Sequence, residues 1–427
     1  MCYKCDVDSF ETPQSVKKLD DFSHFFGESV IFKENTCSEM VVSDKFVTVL
    51  TKSYCIMKRL LNSILCLSVA MMAWAQLPDL KLELSIAQNV EDYDFAVKYI
   101  EENYSGFSYW VVDSTRADYE ATKARLRGEV ERGERPGWDA ASAYFGWFND
   151  LHLGLCLNYP DEDGNLTIWN KYHEKSKKRI RYWKLMEEYN PQPVACKVTE
   201  KTFLIRFPDC GGNPDSKWIK NSIKQFKKSH CENLIIDVRG NGGGNDGLFE
   251  PYRRLLYDHE AYDTVPMYRI TTQNLVKMKN YGWNHYSQLM NEIAKHPDAE
   301  FLSPGIHLIR YKKLDKSLRK AAMIIDNEVG SSGESIVLQA KACSNRTTVY
   351  GRDNTVGCLD FANVSFVQLP NCGINIRVPM SREIGLPERS FDKNGIAPDV
   401  RIDLPLPAKL TDNIDEWVIW VAEQLEK

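Results

Sequence analysis

The chain has 427 residues, a net charge of −5 and 26% charged residues. That length supports two or three domains and a sizeable core. The mild acidity and ordinary charge density argue against nucleic acid as the main partner.

The first 56 residues show little periodicity. They hold Cys2, Cys5, Cys37 and Cys55, but Cys2-x-x-Cys5 has no second ligand pair at zinc spacing, so no metal is assigned. Met57-Lys-Arg begins a different pattern: a basic start, an apolar middle, then Ala73-Trp74-Ala75. This reads as a secretory signal peptide over 57–75 with cleavage after Ala75, and its apolar run is short for a membrane span. Residues 1–56 therefore read as an over-extended start. The expected protein is exported, periplasmic or extracellular, with no stable membrane span after cleavage. Of the twelve cysteines, five precede Gln76 and seven follow it. An odd number leaves at least one thiol unpaired, and most of the seven sit in apolar runs as core residues.

Residues 76–160 read as a helical N-terminal domain. Tyr93, Val97, Ile100 and Tyr104 form one helical stripe; Tyr119, Leu126 and Val130 a second; Ala141, Tyr144, Phe145 and Phe148 a third. His152 follows in Asn149-Asp-Leu-His152. A histidine among apolar residues is usually structural, yet a serine nucleophile elsewhere would need such a base. His307, in a strand-like run, is its main rival, whereas His173 falls in a solvated basic segment. Residues 161–200 read as a basic linker, with seven Lys/Arg between Lys171 and Lys184 on a solvated face.

From residue 201 to 427 the pattern is α/β. Thr202–Phe207 reads as a strand, Trp218, Ile219, Ile223 and Phe226 mark a helix, and Asn233–Val238 is a second strand: a βαβ unit with a mainly parallel core. Gly240-Asn-Gly-Gly-Gly244 follows. It lacks the Gly-Lys-Ser/Thr of a phosphate loop and the spacing of a dinucleotide fingerprint, so no cofactor is assigned. Its glycines allow very close backbone approach. Residues 247–320 are a polar excursion without an assigned role. Ala321–Ile325 is a buried strand running through Gly330-Ser-Ser-Gly333 into a helix bearing Ile336, Val337 and Ala340. Two readings of that corner stand side by side. Ser331 or Ser332 N-caps the helix, or a serine there attacks a carbonyl while backbone N–H groups hold the oxyanion. Thr347–Tyr350 is another strand, Phe366–Pro379 a hairpin, and Asn413–Leu425 a closing helix.

Five motifs now stand in order: Asn149–His152, the Leu-Ile-Ile-Asp-Val-Arg-Gly-Asn-Gly-Gly-Gly block at 234–244, Ser331-Ser-Gly-Glu334, Val349-Tyr-Gly351 and Asn394-Gly-Ile-Ala-Pro-Asp399. Together they resemble the C-terminal-processing, or tail-specific, serine peptidase family. The resemblance implies a ClpP/crotonase-like catalytic domain behind the helical domain, and peptide or protein substrates. It implies Ser331 as nucleophile and the N–H groups of Ser332 and Gly242 as oxyanion donors, with Gly243 the neighbouring alternative. Many members pair the serine with a lysine about 25 residues on, but no lysine lies between Arg352 and Lys393 here. The sequence is more similar to the tricorn-like branch, in which His152 matches the base. Asp392 then matches the acid, with Glu388 the alternative. Only about 45 residues separate Leu155 from Thr202, too few for the PDZ domain many members carry. The expected activity is an exported serine endopeptidase. The alternative is a catalytically inactive peptide- or glycan-binding relative on the same scaffold, in which His152, Ser331 and Asp392 do not converge.

Overall fold

A computed structural model describes residues 83–156, 172–283, 285–312 and 314–427. The expected start and signal segments, 1–56 and 57–75, lie outside the described residues. The three apolar stripes of the N-terminal region form helices α1 (Ile86–Asn103), α2 (Asp113–Glu131) and α3 (Gly137–Phe148). Ser85 and Gln88 close a reciprocal capping box at the start of α1, satisfying two backbone N–H groups that a helix start leaves open. Every residue of the three stripes is buried.

The α/β region contains strands β1 (Gly154–Cys156), β2 (Val194–Lys197), β3 (Thr202–Arg206), β4 (Asn233–Asp237), β5 (Lys320–Ile325), β6 (Thr347–Gly351), β7 (Phe361–Gln368), β8 (Asn375–Arg382) and β9 (Val400–Arg401). Its long helices are α4 (Ser216–Ser229), α5 (Ser332–Cys343) and α6 (Glu416–Glu426). The main sheet runs β9-β6-β5-β4-β3-β2. Its pairs are parallel except β2 with β3. Alternate residues of the central strands face opposite helical layers, as the period of two requires. Phe203, Ile205, Leu234, Ile236, Met323 and Ile325 pack with Ile219 and Phe226 of α4 and Ile336 and Val337 of α5. Leu204, Ile235, Ala322 and Ile324 pack with Trp417, Val418 and Val421 of α6.

A second sheet carries the β7–β8 hairpin, with β1 pairing β8 antiparallel. The helical region shares its core with this hairpin: Tyr104, Tyr144 and Phe148 cluster with Phe361, Ile376 and Val378. The described residues accordingly form one compact unit. The basic segment, read as a linker, also contributes structure. β2 edges the main sheet, and Glu174–Lys178 and Tyr182–Leu185 are short helical turns. The 247–320 excursion holds helices Thr272–Asn280 and Tyr286–Lys295, a ladder of Ala261–Thr264 with Ile306–Ile309, and two short strands that extend the second sheet. All seven cysteines from Cys156 onward are free thiols.

A buried charge network fixes the end of β4, from which the glycine-rich loop leaves. Asp237 Oδ2 accepts from Arg206 and Arg239 at 2.8 and 2.7 Å, and Asp415, at the start of α6, accepts from the same two guanidiniums at 3.2 and 2.7 Å. Burial alone would raise the Asp237 carboxyl, but the two arginines outweigh it and hold it at about 2.

Candidate active site

Ser331 ends the turn between β5 and α5, with φ 53° and ψ −122°. Few non-glycine residues occupy that region, and holding one there costs of order 1–3 kcal/mol. The surrounding contacts impose it. Gly330 N–H donates to Asn241 O at 3.0 Å, and a Cβ on Gly333 would lie 2.1 Å from that oxygen. The turn is thus pressed onto the loop that follows β4, which the glycines permit. Glu334 supports it from beneath. Its carboxylate accepts from Ser331 N–H at 3.2 Å, Gly357 N–H at 2.7 Å, Cys358 N–H at 2.8 Å and the Thr355 hydroxyl at 2.5 Å. The cap reading of this corner is therefore partly realised, by Glu334 rather than by the serine hydroxyl.

The hydroxyl points elsewhere. Ser331 Oγ lies 2.9 Å from His152 Nε2. His152 follows α3, whose C-cap Asn149 adopts φ 51°. Asp150 shapes the turn: Oδ1 accepts the His152 N–H at 2.8 Å, and Oδ2 accepts the Tyr104 hydroxyl at 2.7 Å. The ring is 4% exposed. Its Nδ1 lies 2.6 Å from the Phe361 carbonyl oxygen. A carbonyl only accepts, so Nδ1 carries the proton and Nε2 presents its lone pair to Ser331. Burial first, then the positive charges of Arg377 and Lys175, push the imidazole down to about 3.

The two anticipated oxyanion donors differ from the alternative in one respect. Gly243 N–H is taken by Asn241 Oδ1 at 3.1 Å. Among the described residues, the N–H groups of Gly242 and Ser332 have no acceptor. A cleft of about 330 Å³ opens over this point, lined by His152, Ser331, Gly242, Val356, Cys358 and Arg181.

The acid is where expectation and geometry part. Asp392 does not hydrogen-bond to the imidazole. Its Oδ1 accepts from Leu359 N–H at 2.6 Å and Asp360 N–H at 2.9 Å. Asp360 answers by accepting from Phe391 N–H at 2.7 Å. This brace holds the loop that ends in Phe361, so Asp392 reaches His152 only through the backbone. Glu388 is solvent-exposed and His307 sits exposed on its ladder. His173, expected in solvent, is fully buried, and among the described residues neither ring nitrogen has a hydrogen-bond partner of good geometry. Burial pushes it down to about 4. The Phe361 carbonyl leaves no mark in a sequence. Asp150 did leave one: an aspartate two residues before a turn residue is a standard Asx partner for its N–H.

Residues 201–402 match the model of peptidase family S41. That segment belongs to the family. The chain is a serine peptidase, a hydrolase, on a ClpP/crotonase-like α/β fold. Among solved structures it is similar to mature CPAF, with 14% identity and a TM-score of 0.53 over 80% of this chain and 96% of that one. CPAF complexed with lactacystin gives 14% and 0.52 over 80% and 97%. A putative peptidase from Parabacteroides merdae gives 15% and 0.49 over 75% and 90%. At these identities the CPAF likeness speaks for the fold. No curated protein sequence matches the chain. The matched segment contains Ser331, Gly242 and Asp392, while His152 precedes it.

Proposed function

We propose that the protein is an exported serine endopeptidase acting through an acyl-enzyme on Ser331. His152 Nε2 takes the hydroxyl proton as Ser331 Oγ attacks the peptide carbonyl carbon. The free N–H groups of Ser332 and Gly242 receive the oxyanion. His152 then protonates the leaving amine, and water, deprotonated by the same nitrogen, releases the acid. The Phe361 carbonyl keeps the imidazole in the working tautomer, the part a carboxylate plays in the familiar triad, and Asp392 braces that carbonyl from behind.

The observation that carries this reading is the 2.9 Å contact of His152 Nε2 with Ser331 Oγ at a strained strand-to-helix corner. A binding-only relative has no need of that contact, so the separation supports the peptidase over it. Export rests on the 57–75 pattern alone. Among the described residues no helix is long and apolar enough to cross a membrane.

The test is hydrolysis of casein and peptide libraries by residues 76–427 beside Ser331→Ala and His152→Ala. Both variants should lose several powers of ten in rate with the fold intact. Turnover surviving in Ser331→Ala would remove the proposed nucleophile.

A further inference from the structure

One side chain of the basic segment enters the site from behind. Lys175 lies in the Glu174–Lys178 turn, and its backbone N–H donates to Asn149 Oδ1 at 3.0 Å. Its ammonium donates to the carbonyl oxygens of Gly357 and Asp392. These three partners belong to three separate loops. Asn149 begins the turn that carries His152. Gly357 belongs to the loop whose N–H groups hold Glu334 beneath Ser331. Asp392 braces the loop that ends in the Phe361 carbonyl. The strands these loops adjoin, β1, β7 and β8, are neighbours in the second sheet; Lys175 adds a direct tie among the loops themselves, beyond the strand ends.

We propose that Lys175 is a positioning residue of the Ser331–His152 pair, clamping the base turn, the nucleophile brace and the Phe361 loop together. It rests on the peptidase reading given above. The charge is as well placed as the bonds. Asp150, Asp360 and Glu334 are buried carboxylates, and Asp392 is nearly so. Burial raises Asp150, Glu334 and Asp392, and Lys175 opposes that rise in each. The same ammonium, with Arg377, disfavours protonation of His152. Cys358 is a neutral thiol whose ionisation burial suppresses. Lys393 shares with Lys175 a cavity of about 500 Å³ beside Asp360 and Asp392. A lysine here therefore ties three backbones and also supplies a positive charge to a carboxylate-rich interior. A neutral chain of the same length supplies neither.

The experiment compares the full chain with Lys175→Met and Lys175→Arg. Peptide kcat and KM are measured from pH 5 to 9, with Ser331 labelling by a fluorophosphonate and thermal melting. The His152 ring is titrated by NMR, assigned with His152→Gln. Lys175→Met should lower kcat by about 10–100-fold, the scale of a small misplacement of reacting groups, with KM within about twofold. Loss of the nearby positive charge should move the His152 midpoint to higher pH. Lys175→Arg should restore most of kcat. Unchanged kcat and an unchanged His152 midpoint in Lys175→Met would overturn the proposal. So would a loss that tracks melting temperature alone and that arginine does not rescue. If the wild type neither hydrolyses peptide nor labels, the peptidase reading falls, and the His152 midpoint still decides the claim about Lys175.

Discussion

The conformation of Ser331 makes a stability measurement informative about function. Its φ of 53° and ψ of −122° suit glycine better than any L-residue. Replacing Ser331 by alanine removes the hydroxyl and keeps the strain. Replacing it by glycine removes both. The strain is worth of order 1–3 kcal/mol, while glycine gives back about 0.4–1 kcal/mol by loosening the unfolded chain. Ser331→Gly should therefore be more stable than Ser331→Ala by about 0.5–2 kcal/mol. For a folded unit of about 345 residues, an unfolding entropy near 2.1 cal/mol/K per residue converts 1 kcal/mol to about 1.4 °C. The expected gap is about 1–3 °C in melting temperature, or a matching shift in urea midpoint at constant m-value. Neither variant should turn over substrate. A glycine variant equal to or less stable than the alanine variant would refute the claim that the fold holds the nucleophile under strain.

Three further outcomes follow from the same geometry. A Cβ on Gly243 would meet Ser331 Cβ at 2.8 Å from a φ of 115°, whereas one on Gly242 meets nothing within 4 Å. Gly243→Ala should thus cut kcat by about 10²-fold or more through misplacement, and Gly242→Ala, which keeps its N–H, should stay within about tenfold in peptide assays. His173→Phe removes a buried ring whose nitrogens have no well-formed hydrogen bond among the described residues, so it should be neutral or stabilising at pH 7. The folded His173 value of about 4 lies below the ordinary one. Its contribution is therefore present above about pH 6.5 and lost as pH falls towards 4. Melting curves should show the phenylalanine variant gaining up to about 3 kcal/mol on the wild type over that window; a constant difference would contradict it. Asp392→Asn keeps an oxygen able to accept from Leu359 and Asp360, and should cost less than about tenfold in kcat. A loss near 10⁴, the scale seen when a triad carboxylate becomes an amide, would mean that Asp392 acts on the imidazole after all.

The fold was legible where patterning and burial agree. The strands at Asn233–Asp237 and Lys320–Ile325 appear as unbroken apolar runs because both faces of the sheet are covered. The helical stripes at Tyr93, Tyr119 and Tyr144 were equally plain. That these helices share a core with the β7–β8 hairpin was not, since Phe361 and Ile376 lie more than 200 residues away in the chain and periodicity carries no partner information. The site divides in the same way. Side chains in a known order pointed to Ser331 and His152. A backbone carbonyl at Phe361 has no residue type to betray it. The Lys171–Lys184 segment, which holds His173 and Lys175, reads as solvated because it is rich in basic residues. In a segment with one turn of helix, however, the mean charge says little about which side chain turns inward.

The most direct test of the central claim is to trap the covalent intermediate. Residues 76–427 are mixed with a slow-turnover acyl ester, quenched in acid, digested and mapped by mass spectrometry. The account predicts an acyl adduct on Ser331 that forms in the wild type, drops by several orders of magnitude in rate in His152→Ala, and is absent in Ser331→Ala. An adduct on another residue, or equal acylation of Ser331 with and without the imidazole, would contradict it.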